Sequence, residues 1–236
     1  MQICLIPYDS EPAAANMAID STMLEFGADI GECMLRSYGW SEPSITFGYS
    51  QKWEWIQQNL GNFEGACIRR ITGGGIVDHR HDLTYSLTIP PAHPFHRKPA
   101  LELYKDVHTQ IAEILMDNGV QADLAPCLDE CGDEEKQTGS GVCFQAPEPY
   151  DVVKPGTPLK LAGAAMKRNQ HGILIQGSLS MLAMPDLERT TFINGFGHSM
   201  ASILEADSVK FTGTLPAEIL IRERDRFASD EWNRKR

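Results

Sequence analysis

The stretch Arg69-Arg70-Ile71-Thr72-Gly73-Gly74-Gly75-Ile76-Val77-Asp78-His79, followed by Asp82-Leu83-Thr84-Tyr85-Ser86, restricts the fold more than any other part of the chain. Three consecutive glycines punctuate two segments of alternating hydrophobicity. Ile45, Phe47 and Tyr49 point one way in a short strand, and Leu83, Tyr85, Leu87 and Ile89 do so in a longer one that the Pro90-Pro91 pair ends. A glycine turn between strands is most often only a tight connection. Its other use is chemical: bare backbone lets a ligand approach closely. The N–H groups can then converge on a carboxylate, an acyl phosphate or a developing oxyanion, and flanking arginines favour negative charge there.

Helical signals surround these strands. Met17, Ala18, Met23 and Phe26 recur at near-helical spacing within 14–26, behind Glu11 and Pro12. Leu101, Tyr104, Val107, Ile111, Ile114 and Leu115 form one stripe over 101–118, with Gly119 where a C-cap belongs. A second set of strands is expected at 150–153, 159–162 and 173–179. From about Asp186 the chain reads as helical, with Pro216 suited to the first turn of a final helix. Neither repeat nor linker appears, so 1–236 is expected to be one domain. Within it, 127–141 carries Asp129, Glu130, Asp133, Glu134 and Glu135 among small polar residues and is expected to be a mobile acidic loop.

Composition narrows the class. A formal charge of −11 over 236 residues argues against nucleic acid, although Arg69, Arg70, Lys167 and Arg168 could form a local basic patch. No run reaches the roughly 20 apolar residues a membrane span needs. Nothing at the N-terminus reads as a signal peptide, so a cytoplasmic location is expected. The six cysteines are scattered through a chain large enough to fold without disulfides; Cys4, Cys33 and Cys67 read as small buried hydrophobes.

Two further segments hold candidate chemistry. Lys160-Leu161-Ala162-Gly163-Ala164-Ala165-Met166-Lys167-Arg168 opens with a lysine able to polarise a carbonyl or phosphate, and its small residues leave room against the backbone. The plain alternative is a solvated lysine beside close strand packing. Gly141-Val142-Cys143-Phe144-Gln145-Ala146-Pro147, followed by Tyr150-Asp151, offers a thiolate nucleophile if a nearby cation lowers the thiol's pKa. Cys127 and Cys131 with His93 and His96 suggest zinc, but their spacings match no strong ligand signature, and no metal is expected.

Taken together, these motifs resemble the lipoate- and octanoate-handling branch of the biotin/lipoate protein ligase superfamily. The likeness runs from Asn16-Met17-Ala18-Ile19-Asp20 through Arg36-Ser37-Tyr38-Gly39-Trp40 and the glycine triplet to Leu179. It implies an α+β, class II synthetase-like catalytic domain of mixed, largely antiparallel sheets flanked by helices. By position it implies acyl-binding roles for Arg70, Thr72, Gly73, Gly74, Gly75, His79, Gly163 and Ala164, with Lys160 at the reacting carbonyl. The segment VCFQAPEPYD looks like that of single-domain octanoyltransferases whose cysteine is the nucleophile, which implies Cys143 and Lys160 as catalytic. Met166 and Gln176 stand where that family usually has glutamine and histidine, changes expected to touch the acyl or nucleotide pocket.

The resemblance implies transfer of an octanoyl or lipoyl group from acyl carrier protein, through a cysteine thioester, to a lysine of a lipoyl domain or of the glycine cleavage H protein. The transferase would need no cofactor. The alternatives are a lipoate–protein ligase without a fused accessory domain, using ATP and Mg²⁺, and a non-catalytic binder of acylated carrier proteins. In every case an apolar slot must take the acyl tail, and Ile45, Phe47, Tyr85 and Leu87 are its expected walls.

Overall fold

The computed structural model describes residues 2–127 and 147–235. In chain order the elements are β1 (Gln2–Ile6), β2 (Ser10–Glu11), α1 (Ala13–Ile30), β3 (Cys33–Trp40), β4 (Ser44–Phe47), α2 (Trp53–Asn59), β5 (Ala66–Arg69), β6 (Ile76–Asp78) and β7 (Asp82–Ile89). After a 3₁₀ turn at Pro94–Arg97 come α3 (Ala100–Asp117), β8 (Asp123–Leu124), β9 (Val152–Val153), β10 (Lys160–Asn169), β11 (Gly172–Ser180), α4 (Arg189–Ile203), β12 (Ser208–Phe211), α5 (Ala217–Ala228) and α6 (Asp230–Asn233).

Among the described residues the main sheet has nine strands, ordered β12-β1-β3-β7-β11-β10-β9-β8, with β2 also paired to β3. Pairing is antiparallel from β3 to β8. The pairs β12–β1, β1–β3 and β2–β3 are parallel. A second sheet, β5-β4-β6, is parallel on one side of β4 and antiparallel on the other. This is the mixed, largely antiparallel α+β architecture the motifs imply.

Strand period divides the main sheet into two buried faces. Leu87 lies between Leu35 and Ile175, and Leu83 opposite Leu179; this apolar face packs with Val107, Ile111, Leu115, Phe192 and Phe196 of α3 and α4. The reverse face carries Arg36, Tyr38, Thr84, Ser86, Gln176 and Ser178, all buried, and α1 lies over part of it. All eight residues of β7 are therefore buried, although only alternate ones are apolar.

Helix α1 begins after Pro12 and ends at Gly31 in a left-handed cap, φ 70°. Asn16 and Asp20, one turn apart, face the sheet rather than solvent. Asp20 accepts from Arg36 Nε at 2.8 Å, Tyr38 Oη at 2.9 Å and Gln176 Nε2 at 2.6 Å, while Arg36 Nη2 also donates to Asn16 O at 2.8 Å. Burial and Asp20 push the Tyr38 phenol well above its ordinary value, so it acts as a neutral donor. The stripe expected on α3 is largely buried, except that Leu101 is exposed and Leu103 takes its place inside. Gly119 follows α3 at φ 79°. Pro216 precedes α5 as its N-cap rather than lying in its first turn. Of the acidic segment expected as a mobile loop, 127–141, only Cys127 is among the described residues, and it is buried; 128–141 and Cys143 lie outside them.

Candidate functional site

Three parts of the fold converge on one cleft. The small sheet and the loop after it supply Thr46, Arg70, Val77 and His79. The centre of the main sheet supplies Tyr38, Trp40, Thr84, Gln176, Gly177 and Ser178, and β10 supplies Lys160 and Gly163 to Ala165; Met17 of α1 completes the lining. The cleft leaves about 480 Å³ of empty space, part of it open to solvent.

Arg70, His79, Lys160, Gly163 and Ala164 thus meet at one place, from positions far apart in the chain. Thr72 sits one layer back, where its hydroxyl donates to Gln176 Oε1 at 2.7 Å. The glycine triplet is held from behind: Arg70 Nη2 donates to Gly73 O at 2.8 Å and Gly75 O at 3.1 Å, and Gln51 Nε2 to Gly74 O at 3.2 Å. Gly74 has φ 86°, a conformation that selects glycine. The carbonyls of the triplet make these contacts, so Arg70 shapes the loop as well as lining the cleft.

The slot walls differ from the sequence expectation. Ile45 and Phe47 pack with Ile56 and Ile76, and Tyr85 and Leu87 with α3 and α4. Side chains alternate along a strand, so their neighbours Thr46 and Thr84 face the cleft instead. Of the two departures from the family pattern, Gln176 lines the cleft, whereas Met166 packs against the core beneath.

His79 is fixed on three sides. Its Nδ1 lies 2.6 Å from Asp82 Oδ2, its Nε2 2.7 Å from Thr46 Oγ1, and Trp40 stacks on the ring with centroids 3.9 Å apart. Arg70 Nη1 donates to Thr46 Oγ1 at 2.7 Å, and the Asp82 carboxylate, which can only accept, takes an N–H from His79 Nδ1. Asp82 Oδ2 also accepts from Ser178 Oγ at 2.5 Å and Thr84 Oγ1 at 3.0 Å.

Lys160 is buried, not a solvated surface lysine. Its strand changes register against β9 between Lys160 and Ala162, an irregularity of the kind that can re-aim a side chain. Its Nζ lies 2.7 Å from Asp151 Oδ2, and the stem passes so close to Gly163 that a Cβ there would lie 2.2 Å from Lys160 Cε. Asp151 also accepts from Tyr104 Oη at 2.6 Å and Glu148 N at 2.6 Å. Tyr150, just before it, holds a left-handed backbone at φ 65°, uncommon for an aromatic residue, and this turn delivers the carboxylate inward. Asp151 closes the VCFQAPEPYD segment with no role implied there, and Tyr104 stands on an apolar stripe outside the motifs, so nothing in the sequence announces their contact.

Behind Tyr104, edge-on at 4.0 Å between centroids, stands fully buried His108. Burial, reinforced by Lys160, pulls its pKa from 6.5 down to about 3. The unfolded chain therefore takes up a proton that the fold excludes, so this contribution to stability is complete above the unfolded value and is lost as pH falls toward about 3. Between about pH 7 and about pH 5 the wild type should lose about 2 kcal/mol more than His108→Gln. Urea denaturation at the two pH values measures the difference; parallel losses would contradict it.

The remaining expectations divide. Cys4, Cys33 and Cys67 have thiols pushed up to about 12, chiefly by burial, so they are poor nucleophiles; Cys4 and Cys33 are fully buried and Cys67 partly so. Arg69 and Arg70 are buried and contribute no surface patch. Arg69 donates to the carbonyls of Tyr49, Gln51 and Asn233, tying the C-terminal helices to the small sheet. Lys167 and Arg168 are exposed. His93 accepts from Phe95 N and donates to Leu204 O, each at 3.1 Å, and among the described residues no three His, Cys, Asp or Glu side chains converge as metal ligands. Among them too, no helix is long and apolar enough to cross a membrane.

Residues 12–215 match the family described as the lipoyl protein ligase A/B catalytic domain. The chain is 31% identical to octanoyltransferase LipM of Geobacillus kaustophilus over 95% of each protein. It is 35% identical to octanoyltransferase LipM of Staphylococcus epidermidis over 70% of this chain and 60% of that one. In fold it is similar to a lipoate-protein ligase A bound with ATP, with TM-score 0.71, 15% identity and 99% of each chain covered. A bipartite lipoate protein ligase of Thermoplasma acidophilum, studied with its E2 lipoyl domain, has TM-score 0.68 and 16% identity over 99% of this chain and 96% of that one.

Proposed function

The chain belongs to the lipoyl protein ligase A/B catalytic-domain family, and from that premise we propose that it is an octanoyltransferase of lipoate biosynthesis that works through a thioester on Cys143. The observation that carries this reading is the buried Lys160 ammonium at the edge of a largely apolar cleft that also holds Arg70 and His79.

The donor is an octanoyl group on the thiol of an acyl carrier protein. The Cys143 thiolate attacks the thioester carbonyl; the new C–S bond forms, the old one breaks, and the carrier's sulfur leaves and takes a proton. The neutral ε-amine of the acceptor lysine then attacks the acyl-enzyme, the amide forms, the cysteine sulfur leaves, and the amine gives up a proton. Two easier steps replace one harder one. Lys160 is the group assigned to supply positive charge to the thiolate and the developing oxyanion. The glycine triplet supplies backbone dipoles, while Thr72, behind Gln176, holds the cleft wall in place. Gly163 and Ala164 leave room for the acyl carbonyl. At about 0.8 kcal/mol per buried methylene, an octanoyl tail lying along Met17, Trp40 and Val77 contributes several kcal/mol of binding.

The acceptor is a lipoyl domain, in keeping with the E2 lipoyl domain studied with the Thermoplasma ligase, or the comparable H protein of glycine cleavage. The transferase uses no cofactor. A second reading, an ATP- and Mg²⁺-dependent lipoate–protein ligase, is favoured by the Gly73-Gly74-Gly75 triplet, which looks like the ligase version because the cysteine transferases often have arginine at its third place, and by the fold shared with an ATP-bound ligase.

Intact-protein mass spectrometry separates these readings. Incubation with octanoyl carrier protein is expected to add one octanoyl group to the wild type and none to Cys143→Ala. Pyrophosphate release with free lipoate and ATP, without that adduct, would replace the transferase with the ligase. Failure of both would leave a carrier-protein binder.

A further inference from the structure

We propose that Tyr104, acting with Asp151, is a positioning residue that fixes where the Lys160 ammonium stands in the cleft. The proposal rests on reading Lys160 as the ammonium of the reaction. It adds a residue from α3, outside every motif that carries the family likeness.

The geometry makes the Tyr104 hydroxyl a two-way bracket. It accepts from Ala164 N at 3.0 Å, which directs its own proton to Asp151 Oδ1 at 2.6 Å. With Oδ1 so occupied, Oδ2 is left to Glu148 N and to Lys160 Nζ, at 2.6 and 2.7 Å. Burial and the neighbouring carboxylate push the Tyr104 phenol well above its ordinary value, so it stays a donor. The ring meets His108 edge to face, and Gly163, lacking a side chain, lets the lysine stem pass close against the backbone. Neither Tyr104 nor Asp151 lines the cleft, whereas Lys160, Gly163 and Ala164 do. The bracket thus acts on the reacting atoms only through residues that face them. It also ties the Ala164 amide, and with it the cleft edge, to the element that places the ammonium.

Phenylalanine at 104 would keep the ring and remove the bracket. Asp151 Oδ1 and Ala164 N would each lose a partner, and the carboxylate, then held among the described residues by the Glu148 amide alone, would hold the Lys160 ammonium less firmly. An error of about 1 Å in a group at the reaction centre can slow turnover by about 100-fold.

Two measurements on Tyr104→Phe and Asp151→Asn test this. In steady-state transfer from octanoyl carrier protein to a lipoyl domain, both variants should lower kcat by about 10- to 100-fold and leave KM for the donor within about twofold. The second measurement is trace acetylation of lysines followed by peptide mass spectrometry, with exposed Lys154 as internal reference. Lys160 should label slowly in the wild type and at least about fivefold faster in both variants as the amine is released. Leu103→Ala, a core truncation on the same helix, controls for loosened packing. Unchanged Lys160 labelling in both variants, a change confined to KM, or an equal rise in Leu103→Ala would each overturn the proposal. If the wild type transfers no octanoyl group, the functional reading fails, and the labelling result still decides whether the bracket holds the lysine.

Discussion

Lys160→Met is expected to lower stability by about 3 kcal/mol and to slow acyl transfer by at least about 100-fold. Methionine replaces most of the aliphatic stem, so the packing loss is small and the charge decides the outcome. Asp151 has no solvent exposure and, among the described residues, would keep only Tyr104 and the Glu148 amide as donors. Removing one partner of a buried ion pair costs about 3–5 kcal/mol because the other charge is left without compensation; the two surviving hydrogen bonds place this case at the lower end. Adding Asp151→Asn removes the orphaned charge and should restore more than half of the lost stability while leaving transfer slow. Urea denaturation and a transfer assay on the two variants separate the effects. Wild-type stability in Lys160→Met would show that the pair is not energetically coupled. Wild-type turnover would remove the lysine from the chemistry.

That coupling also shows where sequence reading reaches its limit. The helices at α1 and α3 and the strand at β7 were legible because a local period reports a single buried stripe. Strand β3, Cys33-Met34-Leu35-Arg36-Ser37-Tyr38-Gly39-Trp40, gives no alternation because apolar side chains lie on both of its buried faces: Cys33 and Leu35 join one core, while Met34 packs with Met23 on the face where Arg36 and Tyr38 meet Asp20. Strand β12 lies in a stretch whose sequence reads as helical. Its four residues are exposed, and it exists only by parallel pairing with β1 at the far end of the chain, a contact that nothing within its own sequence encodes. The site followed the same rule. Arg70, His79 and Lys160 were visible because they stand inside motifs. Tyr104 reads as one more large residue on a helical stripe, and its hydroxyl gains meaning only when the turn at Tyr150 brings Asp151 beneath it. The slot walls were misplaced by one residue along two strands, and a shift of one exchanges the faces.

Gly163→Ala is expected to slow transfer by about 100-fold while lowering stability by only about 1–2 kcal/mol. The added methyl would lie 2.2 Å from Lys160 Cε, 2.4 Å from Nζ and 2.7 Å from Asp151 Oδ1, so something must move. Which group moves determines the phenotype. Asp151 is anchored by Tyr104 and by the Glu148 amide, and β10 by its ladder with β11, whereas the end of a lysine swings at little cost. The ammonium therefore shifts by about 1 Å while staying within reach of Asp151, and the fold survives because the buried carboxylate keeps its partner. Function and stability should separate in this variant, unlike in Lys160→Met, where both fall. Gly213→Ala, at an exposed position where the methyl meets nothing within 4 Å, should match the wild type in both assays. Thermal unfolding and single-turnover acylation would check the contrast. A Gly163→Ala enzyme that unfolds as the wild type does and acylates at the wild-type rate would mean that the site of reaction does not depend on where this lysine stands.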